Sequence, residues 1–293
     1  MQALSASLGG LVENVLYATD FHGHSAKALP YALSIARRYG STVYLVHVIA
    51  MSPFSSPGPT GSLRAIESQA IREAKESGAE LSLVCGQIPN EVVIRKGDIW
   101  KELSAVVEQK RINLIVVGTH GRQGVRKMIM GSVAEKIFRH APCPVLTIGP
   151  RIHGEPDRFD DLHSILLPMD FSPESLSAVS YATSLTQANQ ARLYLLHVTS
   201  SSDDVPAASV KQALQNLTPP GSKLSFAPKA LVESGVPSET ILDVAEELAV
   251  DLIVLGVKRP SILQGTSTHQ AMATACKVVS GAGCPVITVR APA

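Results

Sequence analysis

The sequence predicts an α/β fold in two tandem doubly wound domains, each a five-stranded parallel sheet with helices on both faces. Three observations carry that prediction. Short apolar runs such as Asn113-Leu114-Ile115-Val116-Val117 lack polar alternation, the pattern of strands buried on both faces. These runs alternate with segments of helical spacing, which implies parallel strands joined by right-handed helical crossovers. The whole pattern then occurs a second time.

The repeat sets the domain organisation. Val15-Leu16-Tyr17-Ala18-Thr19-Asp20-Phe21 recurs 150 residues on as Ile165-Leu166-Leu167-Pro168-Met169-Asp170-Phe171. Tyr31-Ala32 and Leu45-Val46-His47-Val48 recur at the same interval as Tyr181-Ala182 and Leu195-Leu196-His197-Val198. Asn113–Gly118 recurs as Asp251–Gly256 at an interval of 138, and Cys143-Pro144-Val145 as Cys284-Pro285-Val286 at 141. Intervals this long mean domain duplication, because solenoid repeats are only about 20–50 residues. The chain of 293 residues suits two domains of about 150. The first spans 1–150, a polar linker with Gly154 and Pro156 spans 151–161, and the second spans 162–293.

In the first copy, strand one is Asn14–Thr19. Helix one is Ser25–Tyr39, with Ser25 as N-cap, Gly40 as stop and Pro30 as an interior kink. Strand two is Thr42–Val48, followed by a Pro- and Gly-rich loop over Met51–Gly61. Helix two is Ser62–Ser77, strand three Val92–Arg95, helix three Asp98–Gln109, strand four Leu114–Val117, helix four Ser132–His140 and strand five Val145–Ile148.

Composition narrows the function. Hydrophobic residues make 45% and charged residues 17% of the chain, enough for large cores and against wholesale disorder. A net charge of +1 argues against a broad nucleic-acid surface. Cys85, Cys143, Cys276 and Cys284 form no C-x-x-C pair and no metal-finger spacing, so reduced structural thiols are expected. No run reaches the roughly 18 apolar residues of a membrane span. The Met1–Ser7 start lacks a basic n-region, so the expected location is cytoplasmic.

The chemistry gathers after strand four. Gly118-Thr119-His120-Gly121 is followed by nine residues and then Gly131-Ser132-Val133. Glycines allow close backbone approach to a ligand. Free N–H groups at Gly131, Ser132 and Val133 would open a helix and favour an anion. Ser132 adds a hydroxyl, and Arg122, Arg126 and Lys127 add positive charge, so a phosphate fits. The pattern is neither a Walker loop nor a G-x-G-x-x-G turn. Two other walls converge on it, because ligands of open α/β sheets lie beyond the carboxyl ends of the strands. Asp20 ends strand one and could accept from ribose hydroxyls or sit near a metal; it could equally be a turn or cap residue for helix one. Val48 ends strand two, where backbone N–H and C=O could meet an adenine edge. His120 has no carboxylate beside it to orient it as a base.

The Gly-x2-Gly-x9-Gly-Ser spacing resembles the nucleotide loop of the universal stress protein family, and Ala141–Ile148 resembles that family's last strand. The resemblance covers nearly the whole chain. It implies sheets ordered 3-2-1-4-5 and ATP, with Mg2+, as ligand. It places Val48 on the adenine, Asp20 and Gly118 around the ribose, and Gly121, Gly131, Ser132 and Val133 around the phosphates. It implies a stress sensor or signalling module whose domains pair antiparallel through their last strands; a homodimer of the whole chain is a further expectation. Ala18 departs from the proline of many relatives. The second copy keeps Asp170 and Val198, but Arg259 stands for Gly121, Met272 for Gly131 and Ala273 for Ser132, so that site is expected to be empty. The rival readings are a slow ATP-hydrolysing or autophosphorylating enzyme, which finds no base or nucleophile constellation here, and a nucleotide-free interaction module.

Overall fold

The computed structural model describes residues 12–21, 25–50, 60–119, 131–152, 162–200, 206–258 and 266–291. The first half contains β1 (Asn14–Ala18), a 3-10 turn (Ala26–Ala28), α1 (Leu29–Tyr39), β2 (Thr42–Ala50), α2 (Thr60–Val84), β3 (Asn90–Gly97), α3 (Ile99–Gln109), β4 (Leu114–Gly118), α4 (Ser132–His140) and β5 (Val145–Ile148). The second half contains β6 (Ser164–Pro168), α5 (Pro173–Asn189), β7 (Arg192–Thr199), α6 (Ala207–Gln215), β8 (Lys229–Ser234), α7 (Pro237–Glu247), β9 (Leu252–Gly256), α8 (Thr266–Gly281) and β10 (Val286–Val289). Most of the expected linker, residues 153–161, lies outside the described residues.

One ten-stranded sheet runs through the molecule in the order β3-β2-β1-β4-β5-β10-β9-β6-β7-β8. All pairings within each half are parallel, and β5 meets β10 antiparallel. The unbroken apolar runs follow from burial on two faces. Val15 and Tyr17 of β1 enter one layer, under α1 and α2, while Leu16 and Ala18 enter the other, under α3 and α4. Each layer continues without a break into the second half, where α5 and α6 cover one face and α7 and α8 the other.

Two helices differ from expectation. Pro30 does not kink an interior; it sits in the first turn of α1, after the 3-10 turn, where a missing N–H costs no helical bond. Ser25 makes no side-chain cap, because its hydroxyl serves Asp20 instead. Helix α2 passes through Ser77-Gly78 and ends only at Val84. Gly78 is a packing point: a Cβ there would lie 2.5 Å from Val92 Cγ1 on β3. Strand three is also longer than expected, running from Asn90 to Gly97.

The halves meet about a pseudo-two-fold axis that can be read from the register. Leu146 stands opposite Ile287, its own equivalent in the repeat, and both are buried. Arg38 donates to the carbonyl of Ala188 at 3.0 Å, again its own equivalent. Asn189 donates to the hydroxyl of Tyr39 at 3.4 Å, and these two are also equivalents. Self-equivalent contacts are the mark of an isologous interface. A single chain therefore reproduces the geometry of a two-fold dimer.

Candidate functional site

The sheet order makes β1 the switch point of the first half, flanked by β2 on one side and β4 on the other. A crevice at the carboxyl ends of β1, β2 and β4 is the usual ligand position in such sheets. Asp20, Val48 and Gly118 all stand at that end.

Asp20 is set by a short hydrogen-bonded turn. Thr19 extends β1 by donating its N–H to the Val46 carbonyl at 3.0 Å. Phe21 adopts a left-handed φ of 60° and donates its N–H to Thr19 Oγ1 at 2.9 Å. Ser25 Oγ donates to Asp20 Oδ1 at 2.6 Å. The Tyr17 hydroxyl donates to the Ser25 carbonyl at 2.8 Å, and burial raises its pKa. His47 Nδ1 lies 2.8 Å from the Thr19 carbonyl; since a carbonyl only accepts, Nδ1 carries the proton. The Phe21 ring stacks at 4.7 Å from the same imidazole. Both readings of Asp20 thus have a physical basis: it is a turn residue, and it stands at the crevice.

Val48 is half-buried in β2, opposite Arg95 of β3, and packs into the layer under α3 and α4. Gly118 is the last residue of β4, buried and opposite Ile148. Thr119 follows it and fixes the strand end by donating both N–H, at 3.0 Å, and Oγ1, at 3.2 Å, to the Ile148 carbonyl. Gly121 lies outside the described residues, as do His120, Arg122, Arg126 and Lys127.

Gly131 is the N-cap of α4, with φ −60° and ψ 151°, a conformation open to any residue. Gly131 itself supplies no side-chain cap. Gly131 gives its carbonyl to the Glu135 N–H at 2.8 Å, which closes the first turn. Ser132 is exposed, and Val133 packs its side chain into the core. The first N–H groups of any helix find no partner within it, so those of Ser132 and Val133 suit an incoming anion. Among the described residues no cluster of three or more His, Cys, Asp or Glu side chains could hold a metal ion.

The second copy repeats the strand-end turn. Phe171 has φ 58°, and His197 Nδ1 lies 2.7 Å from the Met169 carbonyl. Asp170, however, is turned onto its own helix: Oδ1 accepts from the Ser172 N–H at 3.0 Å and from Ser172 Oγ at 2.5 Å. Burial pushes its pKa up, but bonds from Ser172 and Ser175 outweigh that and leave it low. A Cβ on Gly256, the counterpart of Gly118, would collide with the backbone of Glu174 and Ser175 in the first turn of α5. Helix α8 already begins at Thr266, so Met272 and Ala273 lie within it. The N–H of Ala273 therefore points along a helix interior, where its counterpart Ser132 opens one. Arg259 lies outside the described residues.

The sequence reading overlooked Tyr17, Ser25 and His47 as the frame that holds Asp20. Their signal was present, since Asp20-Phe21 and His47 recur together as Asp170-Phe171 and His197.

The model of the Universal stress protein family matches this chain twice, over residues 12–149 and 162–290. A universal stress protein of Methanocaldococcus jannaschii is 29% identical over 140 residues, covering 47% of this chain and 82% of that protein. Universal stress protein A homolog 1 of Coxiella burnetii is 32% identical over 143 residues, covering 46% of this chain and 95% of that protein. The crystal structure of a universal stress protein from Archaeoglobus fulgidus superposes with a TM-score of 0.70 at 21% identity, covering 94% of this chain and 96% of that one.

Proposed function

This chain belongs to the universal stress protein family, and on that footing we propose that its first domain binds ATP and that the molecule acts as a nucleotide-responsive sensor or signalling module. The observation that carries the reading is the start of α4 at Gly131-Ser132-Val133, whose N-cap glycine supplies no side-chain cap, in the half where β1, β2 and β4 present Asp20, Val48 and Gly118. The backbone of Val48 takes the adenine edge. Asp20 and Gly118 flank the ribose. Gly121, Gly131, Ser132 and Val133 donate to the phosphates. Mg2+ accompanies the phosphates, which supply most of its ligands, so no all-protein cage is needed. The second domain is nucleotide-free.

Calorimetry with ATP tests the reading. The expected result is one site per chain with micromolar-order affinity, roughly −8 kcal/mol. AMP and cyclic AMP serve as competitors that separate phosphate-loop binding from adenosine binding. Gly131→Met, which copies the second domain, should abolish ATP binding, because a side chain at the N-cap occupies the anion's approach. Unchanged affinity in a folded Gly131→Met protein removes the assignment of the phosphate site.

A further inference from the structure

Helix α4 has two ends with different owners. Its amino end is the phosphate donor set of the first domain. Its carboxyl end is held by the second domain. Arg290 follows β10, is 9% exposed, and donates through Nη2 to the carbonyl of Phe138 in the last turn of α4. That carbonyl is one of the final four of the helix, which have no partner within it. Through Nη1 the same guanidinium donates at 2.7 Å to the carbonyl of Lys258, just beyond β9. A planar guanidinium with a fixed fork of donors suits such a bridge. The other basic groups of the last turn are engaged or uncharged. Arg139 is paired with Glu135 at 2.8 Å. His140 is held below the ordinary imidazole value by burial, with Arg290, Arg139 and Lys136 adding to the effect, so it is neutral at pH 7.

The bridge exists on one side of the pseudo-two-fold only. The counterpart of Arg290 is Gly149, and the counterpart of Phe138 is Val279. A Cβ on Gly149 would lie 2.9 Å from the Val279 carbonyl, so the backbone itself packs there and no side chain can reach in. The clamped helix is thus the one that opens at a glycine-serine start. The unclamped helix, α8, is the one whose equivalent start is buried within it.

Resting on the ATP reading above, we infer that Arg290 is a positioning residue for the nucleotide site, through which the second domain sets the placement of α4 and senses whether its amino end holds a phosphate. Helix α4 has nine residues and is about 13 Å long, short enough to move as one rigid piece. A ligand that fixes its amino end also fixes Phe138, and Arg290 carries that restraint to Lys258 in the second domain. Coupling of this kind is reciprocal: what the clamp does for ATP affinity, ATP does for the clamp.

The test uses the full chain as wild type, Arg290→Ala and Arg290→Lys. By calorimetry, Arg290→Ala should raise the Kd for ATP about tenfold, and Arg290→Lys should recover most of it by restoring a charged donor to Phe138. By hydrogen exchange, saturating ATP should slow the amides of Val257 and Lys258 in wild type and leave them unchanged in Arg290→Ala. A purely structural role would not make exchange in the second domain depend on ATP. Wild type that binds ATP, with a folded Arg290→Ala of Kd within twofold, overturns the inference alone. Wild type that binds no ATP removes the underlying reading and the inference with it. If Arg290→Ala does not fold, Arg290→Gln, which keeps a neutral donor, takes its place under the same criteria.

Discussion

Asp20 and Asp170 occupy equivalent strand ends and share an equivalent serine partner, Ser25 in one half and Ser175 in the other, and Asp170 also accepts from Ser172. In both halves the carboxylate is therefore tied to the start of the helix that follows its strand. The cysteines show that equivalence can be purely structural. Cys143 and Cys284 stand at equivalent places, and burial pushes both thiols up to about 12. Burial raises Cys85 and Cys276 as well. The thiolate is the nucleophile, so all four should be inert in the native protein at pH 8. A thiol reagent should react with them only after denaturant is added; stoichiometric labelling of Cys143 or Cys284 within minutes in native buffer would contradict this.

At the scale of elements, the two halves differ most in the helix that follows the fourth strand. Helix α4 starts at Ser132, whereas α8 starts at Thr266, before the equivalent position is reached. A helix extended by two turns spends on its own carbonyls the N–H groups that a phosphate would need. Gly256 packs directly against the first turn of α5. The second half should therefore bind no ATP. A titration that gives two ATP sites per wild-type chain would refute the prediction. The strands differ too: β6 meets β9 through Ile165 and Leu166, while β1 stays paired with β4 as far as Ala18, the counterpart of Pro168.

At the scale of the whole molecule, the antiparallel pairing of β5 with β10 turns two edge strands into the centre of one sheet. An unpaired edge of Val145–Ile148 would be an aggregation template, and the duplication provides its cover. Because both apolar layers run across this seam, the halves should unfold together in one transition. Leu146→Ala, on the pseudo-two-fold axis, should destabilise the molecule by about 2–5 kcal/mol. Hydrogen exchange offers a second check: the amides of β5 and β10 should rank among the slowest in the protein. Fast exchange along both strands, or two separate thermal transitions, would count against a single cooperative body.

Sequence alone determined what is local or periodic. Apolar runs named the strands, their alternation with helices named the class, and the 150-residue interval named the duplication. Glycine and serine spacing marked Gly118 as the end of β4 and Gly131-Ser132 as the start of α4, because strand ends and helix starts leave their trace in residue type. Tertiary structure decided what depends on contacts distant in the chain. The sequence ends the second helix at Ser77, but Gly78 packs against Val92 inside α2, which runs on to Val84. Arg290 is an ordinary charged residue in the sequence; only the fold brings it to Phe138, 152 positions away. The reason is physical: a propensity or a periodic pattern belongs to a few neighbouring residues, whereas a close approach or a trans-domain clamp belongs to two surfaces that meet only when the sheet closes.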